Sequence, residues 1–157
     1  MWRAAEVLRD ATSPTERVFV FGREAIIPYL AQRLPATPYV LAWMLNYEPA
    51  LRPPASPRHP APNADERRAI EHLQKEVAND FCARLQREPP AAMVFMDGEP
   101  EVGPDGVATL AGLCSLVQTM LASDYHLADN ASSIRIYVRN RPAGAGMYIQ
   151  NHPRNGG

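Results

Sequence analysis

Apolar positions in the first forty residues alternate between two rhythms. Trp2 to Asp10 repeats at helical spacing, with Ala5, Val7 and Leu8 on one side, and Thr12-Ser13-Pro14 ends it. Arg17-Val18-Phe19-Val20-Phe21 then runs unbroken to Gly22, the pattern of a strand buried on both faces in the middle of a parallel sheet. Glu24 to Leu34 returns to three- and four-residue spacing through Ile26, Ile27, Leu30 and Leu34. Pro28 falls in its first turn, where a missing N–H costs little. Tyr39-Val40-Leu41-Ala42 predicts a second strand.

Residues 43–62 break the rhythm, because proline recurs at 49, 53, 54, 57, 60 and 62 and excludes regular structure through most of the stretch. Asn63 to Glu88 predicts a long helix, opened by Asn63 with Glu66 as a capping box and stopped by Pro89-Pro90. Ile70, Leu73, Val77, Phe81 and Leu85 form its apolar stripe. Ala91 to Met96 reads as another buried strand ending at Asp97-Gly98, followed by a loop and a helix over roughly 108–122. That helix carries Leu110, Leu113, Cys114, Val117 and Leu121 on one face. Tyr125–Asp129 and Ile134–Val138, joined through Asn130-Ala131-Ser132, predict an antiparallel hairpin at the sheet edge.

This alternation predicts an α/β fold of Rossmann-like, doubly wound type: a three-layer α/β/α sandwich with a mostly parallel sheet of order about 2-1-3-4-5. A single domain would span 1–139, with the proline-rich loop at 43–62 and a flexible tail at 140–157. The strand order places a crevice at the carboxyl ends of the first and third strands, near Gly22-Arg23-Glu24 and Asp97-Gly98.

Composition changes this picture little. The 157 residues are 46% hydrophobic and 21% charged, ordinary for one globular domain. A net charge of -1 gives no overall basic field for nucleic acid or anionic lipid. No apolar run reaches the ~18–20 residues that span a bilayer, and charges at Arg3 and Glu6 come too early for a signal-peptide core. The chain by itself is therefore expected to be soluble. Cys82 and Cys114 can pair, but both fall among apolar residues of predicted helices, so the favoured expectation is two small buried hydrophobes. The redox compartment stays open on this basis.

Chemistry is sparse. Gly22-Arg23-Glu24 supplies one glycine and a carboxylate where a phosphate cradle needs bare N–H groups. His59, His72, His126 and His152 share no metal-ligand spacing. No catalytic residue, metal site or cofactor is expected. Arg23, Glu24, Arg33 and Asp97 are candidate ligand contacts, Asp97 being the best-placed carboxylate, with a turn-capping role as its ordinary alternative. Trp43, Met44, Leu45 and Tyr47 open the proline-rich stretch and form a candidate interaction surface.

Thr12 to Glu24, with Pro14, Arg17-Val18, Val20 and Gly22, resembles the stretch after the last transmembrane helix in bacterial GT-C type glycosyltransferases, the dolichyl-phosphate-mannose protein mannosyltransferase-like group. Ile27-Pro28-Tyr29-Leu30-Ala31-Gln32-Arg33-Leu34-Pro35 to Tyr39, Glu88 to Gly98, Leu121 to Leu127 and Ile136 to Arg139 continue the resemblance across residues 2–139. Pro38 stands where an Arg usually precedes the Tyr, and Arg23 where an aromatic is common. The resemblance implies an accessory extracytoplasmic domain, on the periplasmic side, of an enzyme that uses a polyprenyl-phosphate sugar donor. The catalytic carboxylates of those enzymes lie in a membrane domain, so Asp97, Glu99, Glu101 and Asp105 inherit no catalytic role. The implied partners are the enzyme's own transmembrane domain or the membrane surface, and the polyprenyl-phosphate sugar or acceptor. The residues alone leave two other readings: a stand-alone α/β domain binding a small ligand in the crevice, or a protein-interaction domain.

Overall fold

A computed structural model describes residues 1–47 and 61–140. Most of the proline-rich stretch and nearly all of the expected tail lie outside the described residues. The fold is mixed α/β around one open five-stranded sheet, parallel in its first half and antiparallel in its second. Its strands are β1 (Arg17–Phe21), β2 (Leu34–Pro35), β3 (Ala92–Met96), β4 (Tyr125–Ala131) and β5 (Ile134–Arg139). The helices among the described residues are α1 (Trp2–Ala11), α2 (Ile26–Leu30), α3 (Ala64–Arg87), α4 (Gly106–Leu113) and α5 (Leu116–Asp124), with a 3-10 turn at Ala42–Met44.

Side-chain alternation divides the core between the two faces of the sheet. Phe19, Phe21, Met93 and Phe95 point to one face and pack against Phe81 and Leu85 of α3, Leu110 of α4, and Val117 and Met120 of α5. Val18, Val20, Ala92 and Val94 point to the other and meet Leu8 of α1 and Ile27 of α2. The capping box forms as the sequence predicts: Asn63 Oδ1 accepts from the Asp65 and Glu66 N–H groups, and Glu66 Oε2 accepts from the Asn63 N–H.

Several expectations are corrected. The second strand is Leu34–Pro35, not 39–42. It pairs in parallel with Arg17 and Val18, while Tyr39 instead reaches α3 through an O–H bond to Asp80 at 2.6 Å. The reason lies in the preceding helix, which ends at Leu30 rather than Leu34. Gln32 takes a left-handed φ of 55°, and the N–H groups of Gln32 and Arg33 bond back to Tyr29 and Pro28. This is a Schellman-type stop, made without the glycine that usually announces it.

The observed strand order is β2-β1-β3-β5-β4, with β5 rather than β4 beside β3. In β5, Ile136 and Val138 are buried, whereas β4 is polar and mostly exposed after Tyr125. The more apolar strand takes the interior place. The hairpin itself forms, turning at Ser132-Ser133, both with positive φ as a two-residue type I′ loop requires.

The helix expected over 108–122 is two helices broken at Cys114-Ser115. Cys114 is disulfide-bonded to Cys82, with Cα atoms 5.7 Å apart, so the expectation of two unpaired hydrophobes is wrong. Both sites do pack among apolar residues, Cys114 buried and Cys82 partly so, which is why apolar context alone did not reveal the bond. The predicted α3 stripe is buried only in its second half; Leu73 is exposed. At ~1.5 Å per residue a helix of 24 residues outruns strands of five.

Two stability predictions follow from this core. Phe81 is fully buried, with its ring 5.1 Å from that of Phe19. Phe81→Ala should cost about 3–5 kcal/mol in denaturant melts, and a loss below about 1 kcal/mol would refute its placement in the core. The disulfide closes a separation of 32 residues. Chain-entropy reasoning assigns such a loop about 3–4 kcal/mol, so the Cys82→Ala/Cys114→Ala variant should lose that much. Addition of reductant should leave the variant's melting unchanged.

Candidate functional site

The carboxyl ends of β1 and β3 meet where the sequence places the crevice, and the chain itself fills that space. Gly22, after β1, lies so close to β3 that an added Cβ would approach the Met96 side chain within 2.6–2.8 Å. Its carbonyl accepts the Ala42 N–H at 2.8 Å, which lays the 3-10 turn across the end of β1. Ala42 and Leu45 then enter the core beneath it.

On the β3 side the dominant feature is Arg135, from the start of β5. Its Nη2 donates to Asp97 Oδ1 at 2.7 Å and to Asp105 Oδ1 at 2.6 Å, while its Nε lies 2.7 Å from Asp97 Oδ2. Asp97 Oδ1 also accepts the Gly106 N–H at 2.7 Å. Asp105 caps α4 by accepting from the Val107 and Ala108 N–H groups. Gly106 is required here, since a Cβ would meet Val102 at 2.6 Å and Asp97 Oδ1 at 3.2 Å. Asp97 is thus a fastening point between β3, β5 and the start of α4. Its capping partner is nine residues distant rather than in the adjacent turn.

Arg23 and Glu24 stand beside this lattice. The Arg23 N–H donates to Glu99 Oε2 at 2.7 Å, and its guanidinium is exposed with Nε 3.8 Å from Glu101 Oε2. Burial pushes the Glu99 carboxyl above its usual range, aided by the nearby Glu101 and Glu24 charges and opposed by Arg23. The Asp105 carboxyl is lowered, first by the Arg135 hydrogen bond and then by the Ala108 N–H. The Arg135 guanidinium is raised, chiefly by its bond to Asp97. Glu24, Glu99 and Glu101 thus gather here beside the exposed guanidinium of Arg23, a balance that disfavours phosphate.

Arg33 is not part of this site. It precedes β2, which pairs with the first residues of β1, so it lies at the opposite end of the strands from Arg23, Glu24 and Asp97. Only 7% exposed, it donates five hydrogen bonds: to the Thr12 hydroxyl and to the carbonyls of Arg9, Thr12, Ala31 and Gln32. It joins the end of α1 to the end of α2 and has no free N–H edge directed at a crevice.

The expected interaction surface divides. Leu45 is core, at 1% exposure, whereas Trp43 is 51% exposed and Met44 and Tyr47 are half-buried. Gln74 of α3 grips this turn, its Nε2 donating to the Leu45 carbonyl and its Oε1 accepting the Tyr47 N–H at 2.7 Å. Beside it an open groove of about 510 Å³ runs between Glu71 and Lys75 of α3 and Gly112 and Leu113 of α4.

Among the described residues no cluster of His, Cys, Asp and Glu could hold a metal. His72 faces Glu76 on α3, His126 Nδ1 meets Asn140, and His59 and His152 fall outside the described residues. Sequence reasoning did not single out Arg135, although an Arg set between Ile134 and Ile136 is a visible interruption of an apolar run.

The two shifted carboxyls predict opposite pH effects. Asp105 is depressed in the folded state, so its contribution is present above its ordinary 3.8 and is lost as pH falls through the folded value. Glu99 is raised, so its contribution is complete below its ordinary 4.5 and is lost as pH rises through the folded value. Glu99→Gln keeps an acceptor for the Arg23 N–H and should abolish the second loss. Its stability should therefore gain on the parent's as pH rises above 4.5; parallel stability curves would show that burial of Glu99 has no such effect.

Comparison of the chain with protein-family models, curated proteins and solved structures finds no match, so its own residues carry any functional reading.

Proposed function

We infer that this chain is an accessory domain of a membrane glycosyltransferase that uses a polyprenyl-phosphate sugar, placed outside the cytoplasm and not catalytic alone. The observation that carries the compartment is the Cys82–Cys114 disulfide, since such bonds persist in oxidising surroundings and are rare where glutathione and thioredoxin keep thiols reduced. The resemblance across residues 2–139 supports the enzyme class. Helices against both faces of a sheet whose first half is parallel support the three-layer, Rossmann-like reading of the fold.

The state of the crevice favours an accessory role over a catalytic one. Asp97 and Asp105 are held by Arg135 and by backbone N–H groups of α4, so both carboxylates fasten the sheet to the helix. A general base needs a free oxygen aimed at a substrate proton, and Asp97 has none, since Oδ1 accepts from Gly106 and Arg135 and Oδ2 lies 2.7 Å from Arg135 Nε. The role that suits such a body is to cover or steady a membrane-embedded catalytic part, or to present its acceptor. Among the described residues no helix is long and apolar enough to cross a membrane; the resemblance is what assigns the membrane-embedded part to a partner segment.

Topology tests the reading. In the native gene product, alkaline phosphatase fused after Arg139 should be active and β-galactosidase at the same place silent. The reverse pattern, or transfer of sugar from a polyprenyl phosphate by the purified 157-residue chain, overturns it.

A further inference from the structure

Most ion-paired arginines on this surface are easily assigned: Arg3 to Asp129, Arg23 to Glu101, Arg68 to Asp65, Arg84 to Asp80 and Arg135 to Asp97 and Asp105. Arg9, Arg17, Arg33 and Arg139 donate instead to carbonyls, and the first three of them gather around α2 and β2. Arg9 donates to the Leu30 carbonyl and Arg17 to the Pro35 carbonyl, each at 3.1 Å, and Arg33 donates to carbonyls and the Thr12 hydroxyl. None of the three forms an ion pair among the described residues. Glu16, the neighbour of Arg17, is turned onto the Ser13 N–H at 2.6 Å. The carbonyl bonds hold the guanidiniums of Arg9 and Arg17 in place without neutralising them.

The same segment carries large apolar side chains that the core does not take. α2 buries Ile27 and Pro28 and turns Ile26 and Tyr29, three residues apart, outward; Tyr29 is 79% exposed. Leu34, which opens the edge strand β2, is exposed as well. A net charge of -1 for the whole chain conceals this local combination of unneutralised cations and protruding apolar groups.

We propose that the α2–β2 side docks on an anionic lipid surface, with Ile26, Tyr29 and Leu34 entering the headgroup layer and Arg9 and Arg17 facing lipid phosphates. Charge complementarity supplies the occupant: guanidiniums with no carboxylate partner among the described residues, beside apolar side chains, match a layer of phosphates over hydrocarbon. Tyrosine suits that boundary, having an apolar ring and a polar tip. A protein partner fits less well. Interface anchors seat in pockets, and the cavity beside these residues, lined by Pro28 and Pro35 among others, is about 10 Å³. The site deepens the membrane-side reading above and rests on it only for a membrane being near.

The test is co-sedimentation of the 157-residue chain with vesicles of phosphatidylglycerol and phosphatidylcholine in equal parts, and of phosphatidylcholine alone. The chain should bind the mixed vesicles, bind phosphatidylcholine at least tenfold more weakly, and be released by salt near 1 M, where screening is short-ranged. Arg9→Gln and Arg17→Gln should each weaken binding to the mixed vesicles about fivefold. Ile26→Ser/Tyr29→Ser should weaken it at least tenfold while leaving the melting temperature unchanged, since both side chains are exposed. Trp43→Phe should have no effect. Failure of the parent chain to bind phosphatidylglycerol vesicles overturns the proposal and leaves this side for a protein. Binding that survives the Ile26/Tyr29 substitution or is lost with Trp43→Phe overturns it equally. A domain that reports outside the cytoplasm yet ignores vesicles fails this proposal alone, and one that binds vesicles but reports inside fails only the compartment.

Discussion

Val18, Phe19, Val20 and Phe21 pair in parallel register with Ala92, Met93, Val94 and Phe95, and all eight side chains are buried. A parallel pair of this kind has no face to give to water, so it must be covered twice. The sequence meets this with valines and alanine on one side, where the small α1–α2 layer sits, and phenylalanines and methionine on the other, under α3, α4 and α5. Gly22, just past β1, still lies close against the side chain of Met96, the last residue of β3. What lies at the carboxyl end is then set by how the chain leaves these two strands.

That departure explains which parts of the fold were legible. β1, β3 and α3 announce themselves through composition and spacing, and the Asn63–Glu66 cap through a pair of residues three apart. β2 does not, because two residues carry no periodicity and Tyr39-Val40-Leu41 looked more β-like than Leu34-Pro35. The place of β2 follows instead from the left-handed turn at Gln32, a tertiary choice that no glycine marked. The β5–β4 exchange was readable in principle, since the polar half of β4 suits an edge and Ile136 with Val138 suits the interior.

The candidate site was legible as a location and not as an arrangement. Gly22, Arg23, Glu24 and Asp97 do gather at one end of the sheet, as strand order implies. The residue that organises Asp97 comes from β5, thirty-eight positions away, and local spacing gives no hint of it. Once Arg135 is present, it draws in Asp105 as well, and the two carboxylates become the link by which α4 is fixed to the sheet. The disulfide acts from the other side of the same helix. Cys114 at the end of α4 is bound to Cys82 of α3, while Asp105 at its start is bound to Arg135. A helix of eight residues is thereby held at both ends, which compensates for an apolar face too short to fix it alone.

The opposite margin is built on a different principle. β2 pairs with β1 at only two positions, and its residues are exposed. The polar contacts that a longer strand would make through its backbone are made here by arginine side chains. Arg17 reaches the Pro35 carbonyl, Arg9 the Leu30 carbonyl, and Arg33 threads between α1 and α2 to satisfy four carbonyls and a hydroxyl. Carbonyl ligands suit that purpose because they order a guanidinium without cancelling its charge, whereas carboxylates would have done both. The chain uses carboxylates for Arg135 at the crevice and carbonyls for Arg9 and Arg17 beside α2 and β2, as it does for Arg139 at Pro89. One end of this small sheet therefore holds an arginine neutralised by two carboxylates, and the other holds arginines ordered by carbonyls with their charge intact.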